Sequence, residues 1–198
     1  MSIRRERKDA IEHRKLILQT ALQLFDKHGV QPVSMHQIAK TAGIGQATLY
    51  RRYAHKGDLC MDMLQEYAKQ LTDEIDELLV SSQSLPALDR LSGIMNKWID
   101  AIEEKFGLIV AMESKMSCED ERGNFFHTPM YRYFRDKMAS IFAEIHATKE
   151  HAADPEMAAH ALICSMSPIG YFHMKQEKGY STEQIKEQFR RLCEQYLA

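Results

Sequence analysis

The sequence predicts an all-α protein of about nine helices. Three observations carry this. The 198 residues contain only five Pro and nine Gly, too few for a chain that must turn after every short strand. Apolar residues recur at three- and four-residue spacing in segment after segment, which is the period of a helix face. No stretch alternates polar and apolar residues convincingly enough to read as a strand. A hydrophobic content of 44% is ordinary for a globular protein and sufficient for a sizeable core. The pattern divides into a small N-terminal domain, 1–55, and a larger C-terminal one, 56–198.

The first helix is expected from about Asp9 to His28. Ile17, Ala21, Leu24 and Phe25 form its core face, and Gly29 ends it. Arg4, Arg5, Arg7 and Lys8 precede it as a basic arm whose first residues are expected to be loose. Such an arm either adds contacts to a polyanion or only solubilises the chain.

Two short helices joined by a tight turn follow, over Ser34–Lys56. Ser34 with Gln37 three residues on spells a capping box, and Val33 with Ile38 a hydrophobic staple. Gly43 stands where the helix must stop and the chain must bend, in a left-handed conformation that costs glycine nothing. Ile44 fills the corner. Gln46 to Tyr53 resumes a helix in which Leu49 and Tyr53 share the inner face, while Gln46, Ala47, Tyr50 and Arg51 lie opposite. This is the layout of a helix-turn-helix, whose second helix enters the DNA major groove.

The same stretch resembles the tetracycline-repressor (TetR) family of bacterial one-component regulators. The family pattern T-L-Y-x-x-F/Y-x-x-K-x-x-L stands here as Thr48, Leu49, Tyr50, Tyr53, Lys56 and Leu59, and Ile38-Ala39 with Ala42-Gly43-Ile44 match the preceding I-A-x-x-A-G-V. The resemblance covers roughly residues 12–60. One position departs from it: Gly45 stands where the family has Ser at the cap of the second helix, which weakens the cap by a few tenths of a kcal/mol.

A fourth helix is expected from His55-Lys56 to about Val80, with Leu64, Tyr67, Leu71, Ile75 and Leu78 as its stripe. Ser84 and Pro86 start a fifth, which Gly107 interrupts; a short helix follows to Met116. Ser117–Thr128 reads as a loop. Pro129 opens a helix to about Thr148, and Asp154-Pro155-Glu156 opens another that runs to Lys178 with a kink at Pro168. Gly179 stops it. Ser181 and Gln184 form a second capping box, and a last helix spans Thr182–Tyr196.

Charge is unevenly placed. Residues 1–56 carry 11 Lys/Arg against 4 Asp/Glu, a net of +7; residues 57–198 carry 15 against 24, a net of −9. A basic head on an acidic body suits a protein that meets a polyanion with one end. No segment approaches the ~20 apolar residues of a membrane helix, and the charged N-terminus has no apolar signal region. A cytoplasmic protein with no membrane partner is expected. Cys60, Cys118, Cys164 and Cys193 show no paired spacing and read as buried thiols, with redox sensing as the alternative. His127, His146, His151, His160 and His173 lack the close spacing of a metal site. No ordering of nucleophile and base, no phosphate-cradling loop and no carboxylate cluster suggests catalysis. No metal, cofactor or enzymatic activity is expected.

The resemblance implies that the second helix of the motif reads bases and that the fold dimerises through its last two helices. By position, Gln46, Ala47 and Tyr50 then face the groove. Gln pairs bidentately with adenine and Ala meets a thymine methyl. The Tyr50 hydroxyl, His36, Thr48, Arg52 and Lys56 are phosphate candidates, with Lys56 in the first turn of the fourth helix, and Ser34 is a further DNA-binding candidate. Arg51 reaches either a phosphate or water. The dimer candidates are Ala158, Ala161, Ser165, Ile169, Ile185, Phe189 and Leu192, about half of which can equally face the monomer core. A homodimer would require a palindromic double-stranded operator. Trp98, Met112, Met116, Phe134 and Met138 are the candidates to border a pocket for a small, largely apolar effector, although each fits a plain core equally well.

The function expected is a regulator, a repressor released by that effector. The alternatives are a DNA-binding protein of the same fold without an effector, an enzyme, and a helical protein-binding module.

Overall fold

Nine α-helices and no strand are found among the described residues, 2–113, 125–147 and 153–197, of the computed structural model. They are α1 (Ser2–His28), α2 (Met35–Thr41), α3 (Gln46–Arg52), α4 (Lys56–Ser81), α5 (Ala87–Glu113), α6 (Pro129–His146), α7 (Pro155–Ser165), α8 (Pro168–Lys178) and α9 (Thr182–Leu192). A 3₁₀ turn, Phe125–His127, precedes α6, and a π turn, Cys193–Leu197, follows α9. None of these helices is long and apolar enough to cross a membrane.

Short-range chemistry explains most helix starts. Thr128, Asp154, Ser167 and Ser181 each accept a hydrogen bond from a backbone N–H three residues on. In three of the four a proline follows the cap, where its missing N–H is no loss. At α9 the box closes both ways, with the Gln184 N–H on Ser181 Oγ at 3.2 Å and the Ser181 N–H on Gln184 Oε1 at 2.8 Å.

Four elements differ from the sequence expectation. The first helix begins at Ser2 rather than near Asp9, so Arg4, Arg5, Arg7 and Lys8, expected in a loose arm, fall within α1. Pro168 does not kink one long helix; it starts a new one. Ser167, held extended at φ −60° and ψ 147° before the proline, breaks the helix and caps α8. The break leaves the Met166 carbonyl without its helical donor, and Trp98 Nε1 supplies one at 3.0 Å. Gly107 does not interrupt α5, which runs through it. A Cβ there would lie 3.0 Å from Val30 Cγ2, so the glycine serves close packing. The regular helix α9 stops at Leu192 instead of reaching Tyr196. The predicted loop falls at 117–124 outside the described residues, as does Thr148.

The chain forms two compact units: Met1–Glu66 with Gly107–Met116, and Tyr67–Phe106 with Ser117–Ala198. The first unit encloses a core that includes Ile17, Ala21, Phe25, Ile38, Leu49 and Leu59, closed by Leu108 and Ala111 of α5. The second encloses a larger core in which Trp98 packs edge-on against Phe134 at 4.5 Å between ring centroids. Each such side chain contributes ~1.5–3 kcal/mol by leaving water. Polar side chains also tie the second unit together. Glu103 of α5 accepts from Tyr171 Oη and Lys175 Nζ of α8, and both of those also meet Thr182 Oγ1 at the start of α9.

Candidate nucleic-acid interface

The turn between α2 and α3 sets the site. Ser34 Oγ accepts from the Gln37 N–H at 3.1 Å and starts α2. At its end Gly43 adopts φ +67°. The Ile44 N–H then bonds the Ala39 carbonyl and the Gly43 N–H the Lys40 carbonyl, at 3.1 and 3.3 Å. This double bond pattern is a Schellman stop, and it satisfies carbonyls that the helix end leaves open. Gly45 sits extended at φ −65° and ψ 139° as the start of α3, with no side-chain cap.

Leu49 is buried without remainder and Tyr53 nearly so, as are Ile38 and Ala39 on α2. Burying these fixes the rotation of α3. Gln46, Ala47, Tyr50, Arg51 and Arg52 are thereby exposed together, with Thr48 half-buried beside them. Tyr50 leaves 47% of its surface in water, which is high for a tyrosine in a packed domain. His36 on α2 is exposed as well. Ser34 is exposed, but its hydroxyl already serves the cap.

Lys56 requires a correction. Its ammonium is not held out toward solvent. Nζ donates to the carbonyls of Val30, Gln31 and Val33 at 2.9, 2.9 and 3.1 Å. An ammonium has three donors, and all three serve the segment that leads into α2. The side chain therefore holds the motif in place.

A second tie was not visible in the sequence. Arg14 of α1 grips Asp62 of α4 bidentately, Nε to Oδ2 at 2.9 Å and Nη2 to Oδ1 at 2.7 Å, and the Tyr53 hydroxyl donates to the same carboxylate. Burial by itself would raise the Asp62 carboxyl, but the hydrogen bonds from Arg14 and Tyr53 outweigh it and hold it below the ordinary range. Burial and the same carboxylate push the Tyr53 hydroxyl well above its ordinary range. The residue that ends α3 is thus fixed to α1 and α4. The partners lie 48 and 9 positions apart, and no local pattern announces them.

Of the effector candidates, Trp98, Phe134 and Met138 are buried together in the core of the second unit. Met112 belongs to the first unit, and Met116 lies outside the described residues. A cleft of about 290 Å³ is present on α4 and α5, but it is charged, lined by Tyr67, Glu74, Lys97, Asp100, Glu104 and Lys105 among others. The dimer candidates separate into two sets. Ala158, Ile185 and Phe189 are buried in the second unit's own core. Ala161, Ser165, Ile169 and Leu192 are exposed, Ile169 by 69%. Met157, at 62%, joins them and was not singled out from the sequence.

Comparison with known proteins bears on both units. Residues 17–61 match the family described as bacterial regulatory proteins, tetR family. The HTH-type transcriptional regulator SAR0097 of Staphylococcus aureus (strain MRSA252) is 24% identical over 195 residues, 98% of this chain and 97% of its own. The HTH-type regulator SAB2452 of Staphylococcus aureus (strain bovine RF122 / ET3-1) is 52% identical over 59 residues, but that match spans only 32% of its length. Among solved structures, FadR of Thermus thermophilus, a TetR-family transcriptional repressor in complex with lauroyl-CoA, covers 93% of this chain and 95% of its own at a TM-score of 0.67 and 17% identity. A Saccharomonospora viridis regulator in complex with choline covers 94% and 97% at 0.66, also with 17% identity. At such identities the likeness establishes the fold.

Proposed function

We infer that this chain, which belongs to the tetR family of bacterial regulatory proteins and is a DNA-binding transcriptional regulator, acts as a homodimeric repressor on a palindromic operator. The observation that carries the reading is the exposed face of α3. Gln46, Ala47 and Tyr50 stand clear of the core on a short helix fixed at both ends, in a head of net charge +7. Gln46 and Ala47 read base edges; Tyr50, Thr48, His36, Arg51 and Arg52 set register on phosphates. One such helix touches few base pairs, so a two-fold pair doubles the site. Ala161, Ser165, Ile169 and Leu192 are the side chains available for that pairing.

Release by a small, largely apolar effector is the regulatory half of the proposal. Relatives of this fold are known in complex with lauroyl-CoA and with choline, which supports a ligand role for the second unit without naming the ligand. A ligand acts by preferring the state that fits the operator less well, and only by its difference in affinity between the two states. A second reading, regulation without an effector, is favoured by the close packing of Trp98, Phe134 and Met138, all buried.

Binding of the purified protein to palindromic duplexes, measured across a salt series, tests the first half. Salt-dependent binding lost in Tyr50→Ala supports it; a salt-insensitive monomer refutes it. Adding acyl-CoA or choline to the complex tests the second, since an effector must weaken DNA binding.

A further inference from the structure

We propose that Gly107 is a positioning residue for DNA binding: the close approach it allows α5 fixes the segment Val30–Val33, and through that segment the entry of α2 and the seat of α3. Alanine is the better residue inside a helix, since glycine has more backbone freedom to lose. Gly107 nonetheless stands within the 27 residues of α5. A Cβ there would lie 3.0 Å from Val30 Cγ2 and 3.6 Å from Val30 Cβ. The first of these is closer than side chains ordinarily pack. Leu108 and Ala111, next along the helix, are buried with Ile38 and Leu49 in the first unit's core and hold α5 against it.

Val30 has little freedom to yield. It is β-branched and stiff at χ1, and it packs half-buried against the same core. Before it, Gly29 at φ +79° closes α1, with its N–H on the Phe25 carbonyl at 2.8 Å. After it, Lys56 Nζ holds the carbonyls of Val30, Gln31 and Val33, Pro32 fixes one more φ, and the Val33 side chain is buried. Ser34 comes next. Its Oγ accepts the Gln37 N–H and its carbonyl the Ile38 N–H, both at 3.1 Å. A displacement of Val30 therefore passes to the cap of α2. Ile38 and Ala39 of α2 share their core with Leu49 of α3, so a shift of α2 carries α3 with it.

Gly93 of α5 is crowded as closely, with Leu78 Cδ2 2.8 Å from where its Cβ would stand. It lies in the second unit, and its neighbour is the end of a flexible side chain. Gly107 instead bears on the segment that leads into the motif. This role rests on DNA binding by the exposed face of α3, and it places a determinant of that binding outside the motif, about 60 residues further along the chain.

The test uses the full-length protein and a palindromic duplex that the wild type selects from a random library, at a temperature where the variants are fully folded by circular dichroism. Gly107→Ala should weaken binding ~10-fold, with the salt slope of the wild type because no phosphate contact is lost. Val30→Ala removes the methyl groups that face position 107, so the double variant should recover most of that loss. Gly93→Ala should bind as the wild type does. Amide hydrogen exchange at Gln37 and Ile38 should quicken in Gly107→Ala and slow again in the double variant. Wild-type affinity in Gly107→Ala, a loss that Val30→Ala does not relieve, or an equal loss in Gly93→Ala overturns the proposal and leaves DNA binding by α3 standing. A wild type that selects no duplex overturns both. If Gly107→Ala does not fold, Val30→Ala alone decides: it loosens the same contact and should weaken binding ~3-fold, and unchanged affinity refutes the role.

Discussion

The Tyr53 hydroxyl donates to Asp62, and Arg14 closes on the same carboxylate with two further hydrogen bonds. Tyr53 terminates α3, so this bond fixes the end of the helix whose exposed face carries Gln46 and Tyr50.

Replacing the carboxylate by an amide removes its charge and one of the two oxygens that Arg14 and Tyr53 share. Asp62→Asn should lower stability by ~1–3 kcal/mol at neutral pH. The sign with pH follows from the depressed carboxyl. Its contribution is whole above the unfolded value of about 4 and is lost as pH falls through the lower folded one. The gap between wild type and Asp62→Asn in urea melts should therefore narrow between pH 5 and pH 2; a gap as wide at pH 2 as at pH 7 would contradict the assignment.

Lys56 holds three carbonyls 23 to 26 residues away. Lys56→Met should orphan them and cost ~1–3 kcal/mol in the first unit. DNA affinity should fall, but the slope of log affinity against log salt should stay as in wild type. A lysine on a phosphate behaves differently, since its loss reduces that slope by about one.

Gln46 and Tyr50 separate sequence preference from general affinity. Gln46→Ala should cost ~1–3 kcal/mol on the preferred operator and relax selectivity at one base pair. Tyr50→Phe, which loses only a hydroxyl, should weaken binding evenly across operators. Competition binding on a library of single-base operator variants reads both.

The proposed dimer face and the core lie close in sequence and should respond oppositely. Ile169→Glu should leave the fold intact and yield a monomer by light scattering, because the side chain is exposed. Phe189→Ala should cost ~3–5 kcal/mol of stability, because its ring is 6% exposed and packed within the chain's own core. A dimeric Ile169→Glu would move the interface elsewhere.

Gly45 has open space where a side chain would begin, with only Thr48 Oγ1 near at 3.8 Å, and a backbone that any residue adopts. Gly45→Ser should be tolerated and raise stability by a few tenths of a kcal/mol through a proper cap. A loss of stability in thermal melts would show that the glycine serves some closer approach.

The sequence by itself determined whatever is encoded within about one helical turn. The Ser181 capping box, the Gly43 stop, the proline start of α6, the cap-and-proline start of α7, and the burial of Leu49 beneath an exposed Tyr50 all follow from residues close along the chain. Residues one turn apart are brought together by the helix itself, so their pattern is legible before any packing is known. Tertiary structure decided what depends on partners far along the chain. Pro168 could kink a helix or begin one, and the choice goes with a Met166 carbonyl that Trp98, 68 residues away, stands ready to satisfy. Gly107 could break a helix or admit a neighbour, and Val30 is that neighbour. Lys56 could meet a phosphate or three carbonyls, and Ile185 could face a second copy or its own core. Each of these residues has two chemically sound uses, and only the positions of distant atoms select between them.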